Sequence, residues 1–155
     1  DDIVTVGDEE LVVSFLDMVE NHKMVVENSG LLTVAALKHL DVKNKKVVAI
    51  LSGGNMDVIT MSSVVQQGLV LRDRIFSVSV LLPDKPGELS RVADVIAKQN
   101  GNVIKLEHNQ FVSINRNAEV ELRITMEAFG TEHKNQIISS LQQNGYQPKL
   151  IRASI

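Results

Sequence analysis

Four residues with the makings of a binding turn follow an apolar run: Ser52-Gly53-Gly54-Asn55 comes directly after Val47-Val48-Ala49-Ile50-Leu51. A strand followed by such a turn and then a helix is where open α/β sheets bind ligands. The glycines would let a ring or a phosphate approach the backbone, and the Ser52 hydroxyl would supply one directed hydrogen bond. The same four residues also suit a plain strand-to-helix turn with Asn55 as the cap. No GK[ST] follows, so the turn is not a phosphate loop. Glu27 closes a short apolar segment before a helix start, where its carboxylate either turns into a cleft or is solvated. Asp84-Lys85-Pro86-Gly87-Glu88-Leu89 leads from an alternating run into a helix, and Asn102-Val103-Ile104 opens the strand after it. A free helix N-terminus and a glycine turn can hold a carboxylate, and an Asn amide both donates and accepts. His22, His39, His108 and His133 lie far apart with no metal-ligand spacing, so no metal site is expected.

The elements that must position these residues fall into two halves. In the first, residues 2–6 read as a strand and Leu11, Val12, Phe15, Leu16 and Val19 as a helix running to about His22. Residues 31–40 read as a second helix, and residues 47–51, apolar at every position, as a strand buried on both faces of a parallel sheet. A third helix is expected over 56–67, and residues 68–73 read as a linker. The second half changes character. Phe76, Val78, Val80 and Leu82 alternate with Ser77 and Ser79, which predicts a strand over 75–82 covered on one side. Leu89, Val92, Ala93 and Ile96 then predict an apolar helical stripe over 88–100 that lies on that sheet. Residues 103–108 read as a strand, and an irregular passage with Phe111 and Ile114 leads to a turn at Asn115-Arg116-Asn117. Residues 118–127 alternate without a break, a further helix follows Gly130-Thr131, and residues 146–151 close as a strand. The order is βαββαβ, a ferredoxin-like sandwich.

Composition narrows the function classes. Of 155 residues, 44% are hydrophobic and 23% charged, which suits one ordinary domain or two small ones. A net charge of −3 with one Tyr and four Phe offers no basic face and few stacking platforms for nucleic acid. No apolar run approaches the roughly 20 residues of a membrane span, and with no Cys there is neither disulfide nor thiolate chemistry. No membrane partner is expected, and a cytoplasmic protein fits best. The chain opens on Asp1-Asp2-Ile3-Val4-Thr5-Val6 without Met, directly in an expected strand, and so reads as a piece of something longer.

Taken jointly, Val25-Val26-Glu27-Asn28-Ser29-Gly30 and Lys45-Lys46-Val47-Val48-Ala49-Ile50-Leu51-Ser52-Gly53-Gly54-Asn55-Met56-Asp57 resemble the end of the catalytic domain of threonine ammonia-lyases (threonine dehydratases), pyridoxal-phosphate enzymes of fold type II. Leu82-Pro83-Asp84-Lys85-Pro86-Gly87-Glu88-Leu89 and Gly101-Asn102-Val103-Ile104 resemble the ACT regulatory domain that follows in many of them. The resemblance implies α/β plus α+β architecture: residues 1–72 as the C-terminal segment of the catalytic domain, a remnant of its parallel layer, and residues 73–155 as an ACT domain. It implies that Ser52 meets the pyridine nitrogen of the cofactor, that Gly53, Gly54 and Asn55 present it, and that Glu27 lies near the ring. Asn28-Ser29 stands where relatives usually carry Pro or Gly and a small residue.

It further implies an amino-acid effector, isoleucine or valine, at Asp84, Lys85, Pro86, Gly87, Glu88 and Leu89 together with Asn102, Val103 and Ile104, in a homo-oligomer joined through ACT domains. The family's Ser-x-Lys and tetraglycine patterns do not occur here. The fragment is therefore expected to lack catalytic residues, to bind no cofactor alone and to be inactive by itself, while the parent deaminates threonine to 2-oxobutanoate. A stand-alone ACT amino-acid sensor, or the ACT module of another fold-type II enzyme such as a serine dehydratase or racemase, are the alternatives.

Overall fold

The structure, a computed structural model, describes residues 3–109 and 119–153. Asp1 and Asp2, Phe111, Ile114, the Asn115-Arg116-Asn117 turn and the expected strand start at Ala118 lie outside the described residues. The chain divides into two units, Asp1–Leu71 and Arg72–Ile155.

In the first unit α1 (Asp8–Asp17) carries three acids in its first turn, Asp8, Glu9 and Glu10, where they complement the helix dipole. Glu10 also reaches back to the Gly7 amide at 2.8 Å. The helix widens into a π turn at Met18–His22, which ends on left-handed Lys23. Phe15, fully buried, anchors a core with Leu11, Val12, Met18, Val26, Leu31, Ala35 and Val64. The expected single helix over 31–40 is broken into a 3-10 turn (Asn28–Leu31), a short α2 (Leu32–Ala36) and a second 3-10 turn (Leu37–His39).

Two further expectations are corrected. Among the described residues no strand forms in this unit: residues 3–6 and 47–51 are irregular, with Val48 90% and Ile50 71% exposed. A strand exists only with a hydrogen-bonding neighbour, and no second extended segment of this unit pairs with residues 47–51. The linker expected at 68–73 is instead helix to Leu71, since α3 covers Val58–Leu71. Gly68 lies under the side chain of Leu16, 3.3 Å from where its own Cβ would stand, so the glycine permits close packing of α1 on α3 rather than ending the helix.

The second unit runs β1 (Ile75–Pro83), α4 (Glu88–Lys98), β2 (Asn102–Asn109), β3 (Glu119–Glu127), α5 (Thr131–Gln143) and β4 (Lys149–Ile151). The sheet order is β2-β3-β1-β4, antiparallel at every pairing. This is the split βαβ arrangement expected from the alternation. Val78, Val80, Leu82, Leu122, Ile124 and Met126 meet Val92 and Ile96 of α4 and Ile137 and Leu141 of α5 in one core. The expected helical stripe shifts: Val92, Val95 and Ile96 are buried, whereas Leu89 is 41% exposed and Ala93 is exposed. The sheet's other face is not simply solvated either. Ser77 and Thr125, expected outside, are buried and share a 2.7 Å hydrogen bond, each satisfying the other. The closing strand starts at Lys149 rather than 146, because Gly145, at φ +87, turns the chain first and Tyr146 packs half-buried against the core.

Candidate functional site

Glu27 and the Ser52 turn, separated by 25 positions in sequence, are brought together in the first unit. The Ser29 hydroxyl donates to Glu27 Oε1 at 2.5 Å, and the Gly30 amide donates to the Glu27 carbonyl at 2.9 Å. Gly30 is buried, and a Cβ there would overlap the Ser52 carbonyl. Gly53 adopts φ +81, a left-handed conformation that glycine takes without cost, and a side chain at Gly53 would collide with the Glu27 carboxylate. The Thr33 hydroxyl donates to the Ile50 carbonyl at 2.7 Å, tying α2 to the apolar run before the turn. Asn55 is exposed and does not cap α3. That role belongs to Asp57, which accepts from the Thr60 amide at 2.9 Å and from the Thr60 hydroxyl. The Thr60 hydroxyl, then its amide, holds the Asp57 carboxyl below the usual range.

These residues could hold one edge of a flat, polar group. Ser52 sits exposed at the turn, and Gly53 and Gly54 present bare backbone beside it. Asn28 Oδ1, next to Glu27, is buried with no hydrogen-bond partner among the described residues, an acceptor still to be satisfied. Among the described residues no group of three or more His, Asp or Glu could hold a metal.

In the second unit the loop over 84–87 folds on itself. The Lys85 amide donates to the Pro83 carbonyl at 2.8 Å, and Gly87, at φ +92 with open space where a side chain would be, starts α4. Glu88 pairs with Arg91 at 2.8 Å, and the Glu88 side chain is only 15% exposed. Asn102 donates from Nδ2 to Glu127 Oε2 at 2.7 Å across the sheet. Val103 packs partly into the core, while Ile104 is 42% exposed on β2, an edge strand.

Register places the two groups apart. Pro83 faces Glu119 at one end of the sheet, while Ile75 and Asn102 both face Glu127 at the other. At about 3.4 Å per residue that is about 27 Å along the strands. Within one copy, therefore, Asp84, Lys85, Pro86, Gly87, Glu88 and Leu89 do not meet Asn102.

Polar features that the sequence reading passed over lie on the sheet's open face and at its rim. Ser79 donates to Glu121 Oε1 at 2.6 Å, and Arg123 Nε pairs with Glu121 Oε2 at 3.1 Å. The Ser79 bond is the first cause that holds the Glu121 carboxyl low, with Arg123 adding to it against partial burial. Asp73 accepts from Lys134 at 2.6 Å and Thr131 at 2.7 Å. Alternation of Glu121 and Arg123 with apolar residues announced only an outward face, and no signal in the sequence pairs Ser79 with Glu121.

No protein-family model matches the chain. Among curated proteins it is similar to the L-threonine ammonia-lyase of Geobacter sulfurreducens, 37% identical over 148 residues, which is 94% of this chain and 37% of that protein. The L-threonine ammonia-lyase of Thermotoga maritima is 31% identical over 152 residues, 97% of this chain and 38% of that protein. The L-threonine dehydratase biosynthetic IlvA of Pasteurella multocida is 30% identical over 152 residues, 94% of this chain and 28% of that protein. The chain thus spans well under half the length of the curated relatives it matches. Among solved structures, a prephenate dehydratase in complex with L-Phe from Arthrobacter aurescens aligns at TM-score 0.36 and 16% identity, over 48% of this chain and 26% of that one, a likeness too distant to bear on the site.

Proposed function

We propose, for a chain that is related to the threonine ammonia-lyases (threonine dehydratases) over nearly all of its length, that it is the regulatory portion of such an enzyme. The observation that carries this reading is that the similarity runs through both units, 94 to 97% of the chain, and not through the sheet unit alone. A free-standing amino-acid sensor would leave the first unit without a purpose.

On this reading residues 1–72 belong to a fold-type II catalytic domain and residues 73–155 are an ACT domain. Val48 and Ile50 are exposed because residues 47–51 are a strand of a sheet whose other strands lie elsewhere in the parent, which would bury both faces. Ser52 then offers its hydroxyl to the cofactor's ring nitrogen, Gly53 and Gly54 keep the approach clear, and Glu27, held by Ser29, supports the turn from behind. Pyridoxal phosphate, when bound, would supply the electron sink for eliminating the threonine hydroxyl. The fragment holds one edge of that site and is inactive alone.

The second unit is proposed to take an amino-acid effector, isoleucine or valine. Backbone groups at Pro86-Gly87 and the start of α4 would hold its carboxylate, and Asn102 of a second copy its polar groups. The 27 Å between these residues within one copy calls for that second copy. A twofold pairing of two β2 edges would run the strands antiparallel and bring Asn102 of one copy to the end of the sheet where the other presents Gly87.

Titration calorimetry of the chain with L-isoleucine, L-valine and L-threonine tests the reading. At least one is expected to bind, with affinity weakened by about 1 to 3 kcal/mol in Asn102→Ala, the usual scale for removing one partner of a buried polar pair. Equal affinity before and after the substitution refutes the placement, and no binding of any amino acid refutes an effector role.

A further inference from the structure

The sheet face opposite the helices carries a cleft of about 540 Å³ that neither the cofactor turn nor the Gly87–Asn102 site uses. Ser79, Leu81, Glu121, Gln147, Lys149 and Ile151 contribute to it. We propose that this cleft is a second amino-acid site, which takes the zwitterion of an L-amino acid with a short aliphatic side chain.

Opposite charges stand on either side of the cleft. Across β1, Ser79 faces Lys149 of β4, and Leu81 faces Glu121 of β3. Two strand spacings of about 4.8 Å and a two-residue offset put the Cα atoms of Glu121 and Lys149 about 12 Å apart. Both residues line the cleft, so an α-ammonium and its carboxylate can each meet a group of opposite charge there. Glu121 is oriented and kept as an anion. Its side chain is 13% exposed, the Ser79 hydroxyl holds one oxygen and Arg123 Nε the other, and the Asn109 side chain of β2 adds a third hydrogen bond. Each carboxylate oxygen accepts more than one hydrogen bond, so a ligand ammonium can add to these partners without displacing them. Lys149 has no ion-pair partner among the described residues and is placed to meet a carboxylate. Leu81, 52% exposed, and half-buried Ile151 offer apolar contact for a side chain, and Gln147 adds a donor and an acceptor at the rim. A nucleotide fits poorly: the fixed Glu121 carboxylate repels a polyphosphate, Lys149 alone does not neutralise one, and no aromatic side chain lines the cleft.

The inference rests on the amino-acid reading given above, and residue-resolved NMR of the 155-residue chain separates the two. On titration with L-isoleucine the amides of Gly145, Gln147 and Lys149 are expected to shift saturably. Lys149→Ala and Glu121→Gln should each weaken that titration tenfold or more, and Lys149→Arg should restore most of it. 3-Methylpentanoate, which lacks the ammonium, and 2-methylbutylamine, which lacks the carboxylate, should each bind at least tenfold more weakly. Shifts confined to residues 84–89 and 102–104 would overturn the second site and leave the first standing, while shifts confined to 145–149 would do the reverse. An unchanged titration in a folded Lys149→Ala chain would also overturn it.

Discussion

Replacing Gly30 by Ala tests the placement of the Ser52-Gly53-Gly54-Asn55 turn most directly. An added Cβ would overlap the Ser52 carbonyl oxygen and stand 2.8 Å from the Ser52 carbonyl carbon and from Val26 Cγ1. Two of these three atoms are backbone, so relief requires the 27–31 turn and the 51–54 turn to move apart. Overpacking into atoms that cannot rotate away belongs at the upper end of about 1 to 3 kcal/mol. Gly30 does not have a positive φ, so Ala would otherwise contribute about 0.4 to 1 kcal/mol by narrowing the unfolded ensemble. The net loss is about 2 kcal/mol, roughly 30-fold in the opening equilibrium. Gly54→Ala is the matched control, since its Cβ would meet only the Val25 carbonyl at an ordinary 3.7 Å. Native-state hydrogen exchange of α1 amides reads the stability of this unit separately from the sheet unit. Protection should fall about 30-fold in Gly30→Ala and stay within about 2-fold in Gly54→Ala, with β1 and β3 unchanged in both. If Gly30→Ala protects α1 as well as Gly54→Ala does, the two turns are not in contact and the juxtaposition of Glu27 with Gly53 falls with them.

The Asp73 carboxyl is opposed by desolvation but held low on balance by Lys134 and Thr131, so its folded value lies below its unfolded one. Its contribution is therefore present above the unfolded carboxylate range and is lost as pH falls through the folded value. Asp73→Asn should cost about 1.5 to 3 kcal/mol at neutral pH by urea unfolding, and the gap to wild type should close on acidification. His133 accepts from the Phe129 amide at 3.0 Å and meets the Gln99 carbonyl at 2.6 Å, with Phe129 stacked on its ring. His133→Phe should keep the stacking yet lose about 0.5 to 1.5 kcal/mol with its two hydrogen bonds to backbone groups that water can reach, and a melting temperature equal to wild type would show that neither bond matters. Ser77→Ala removes one partner of the buried Ser77–Thr125 pair and should destabilise the sheet by about 1 to 3 kcal/mol. The double variant with Thr125→Val should recover part of that loss, and strict additivity in a thermal melt would refute the pairing.

The second unit was legible because each of its elements repeats a local rule. Val78, Val80 and Leu82 alternate, Val92 and Ile96 recur at helical spacing, and Gly87 and Gly145 stand where positive φ is needed. What could not be read was register. Whether Ser79 faces water or Glu121 depends on which residue of β3 lies beside β1, and a slip of one residue would reverse the answer. The first unit misled for a different reason. Val47-Val48-Ala49-Ile50-Leu51 has the composition of a buried strand, but a strand is a relation between two segments, and the described residues of this unit supply only one. The resemblance implied only that Glu27 and Ser52 both lie near one cofactor, and the approach of Glu27 to Gly53 and of Gly30 to Ser52 was not read. Physically that approach depends on Gly30 and Gly53 being bare, and glycine at a turn announces a turn without saying what approaches it.

The way an effector would act follows from the 27 Å that separates Gly87 from Asn102 within one copy. A ligand held by groups that a single copy never brings together contributes its full binding energy only when a second copy is correctly placed. Its affinity is then coupled to the association of the two sheets, and by reciprocity the association is strengthened by the same factor. The Glu121–Lys149 cleft has the opposite property. Its lining groups lie on β3, β1 and β4 of one copy, so no residue of a second copy is needed, and pairing reaches it only through Asn109 of β2, which holds Glu121. Two amino-acid sites on one small sheet, one between copies and one within a copy, would answer differently to protein concentration at a fixed level of the same ligand. Dilution would weaken the first and leave the second unmoved.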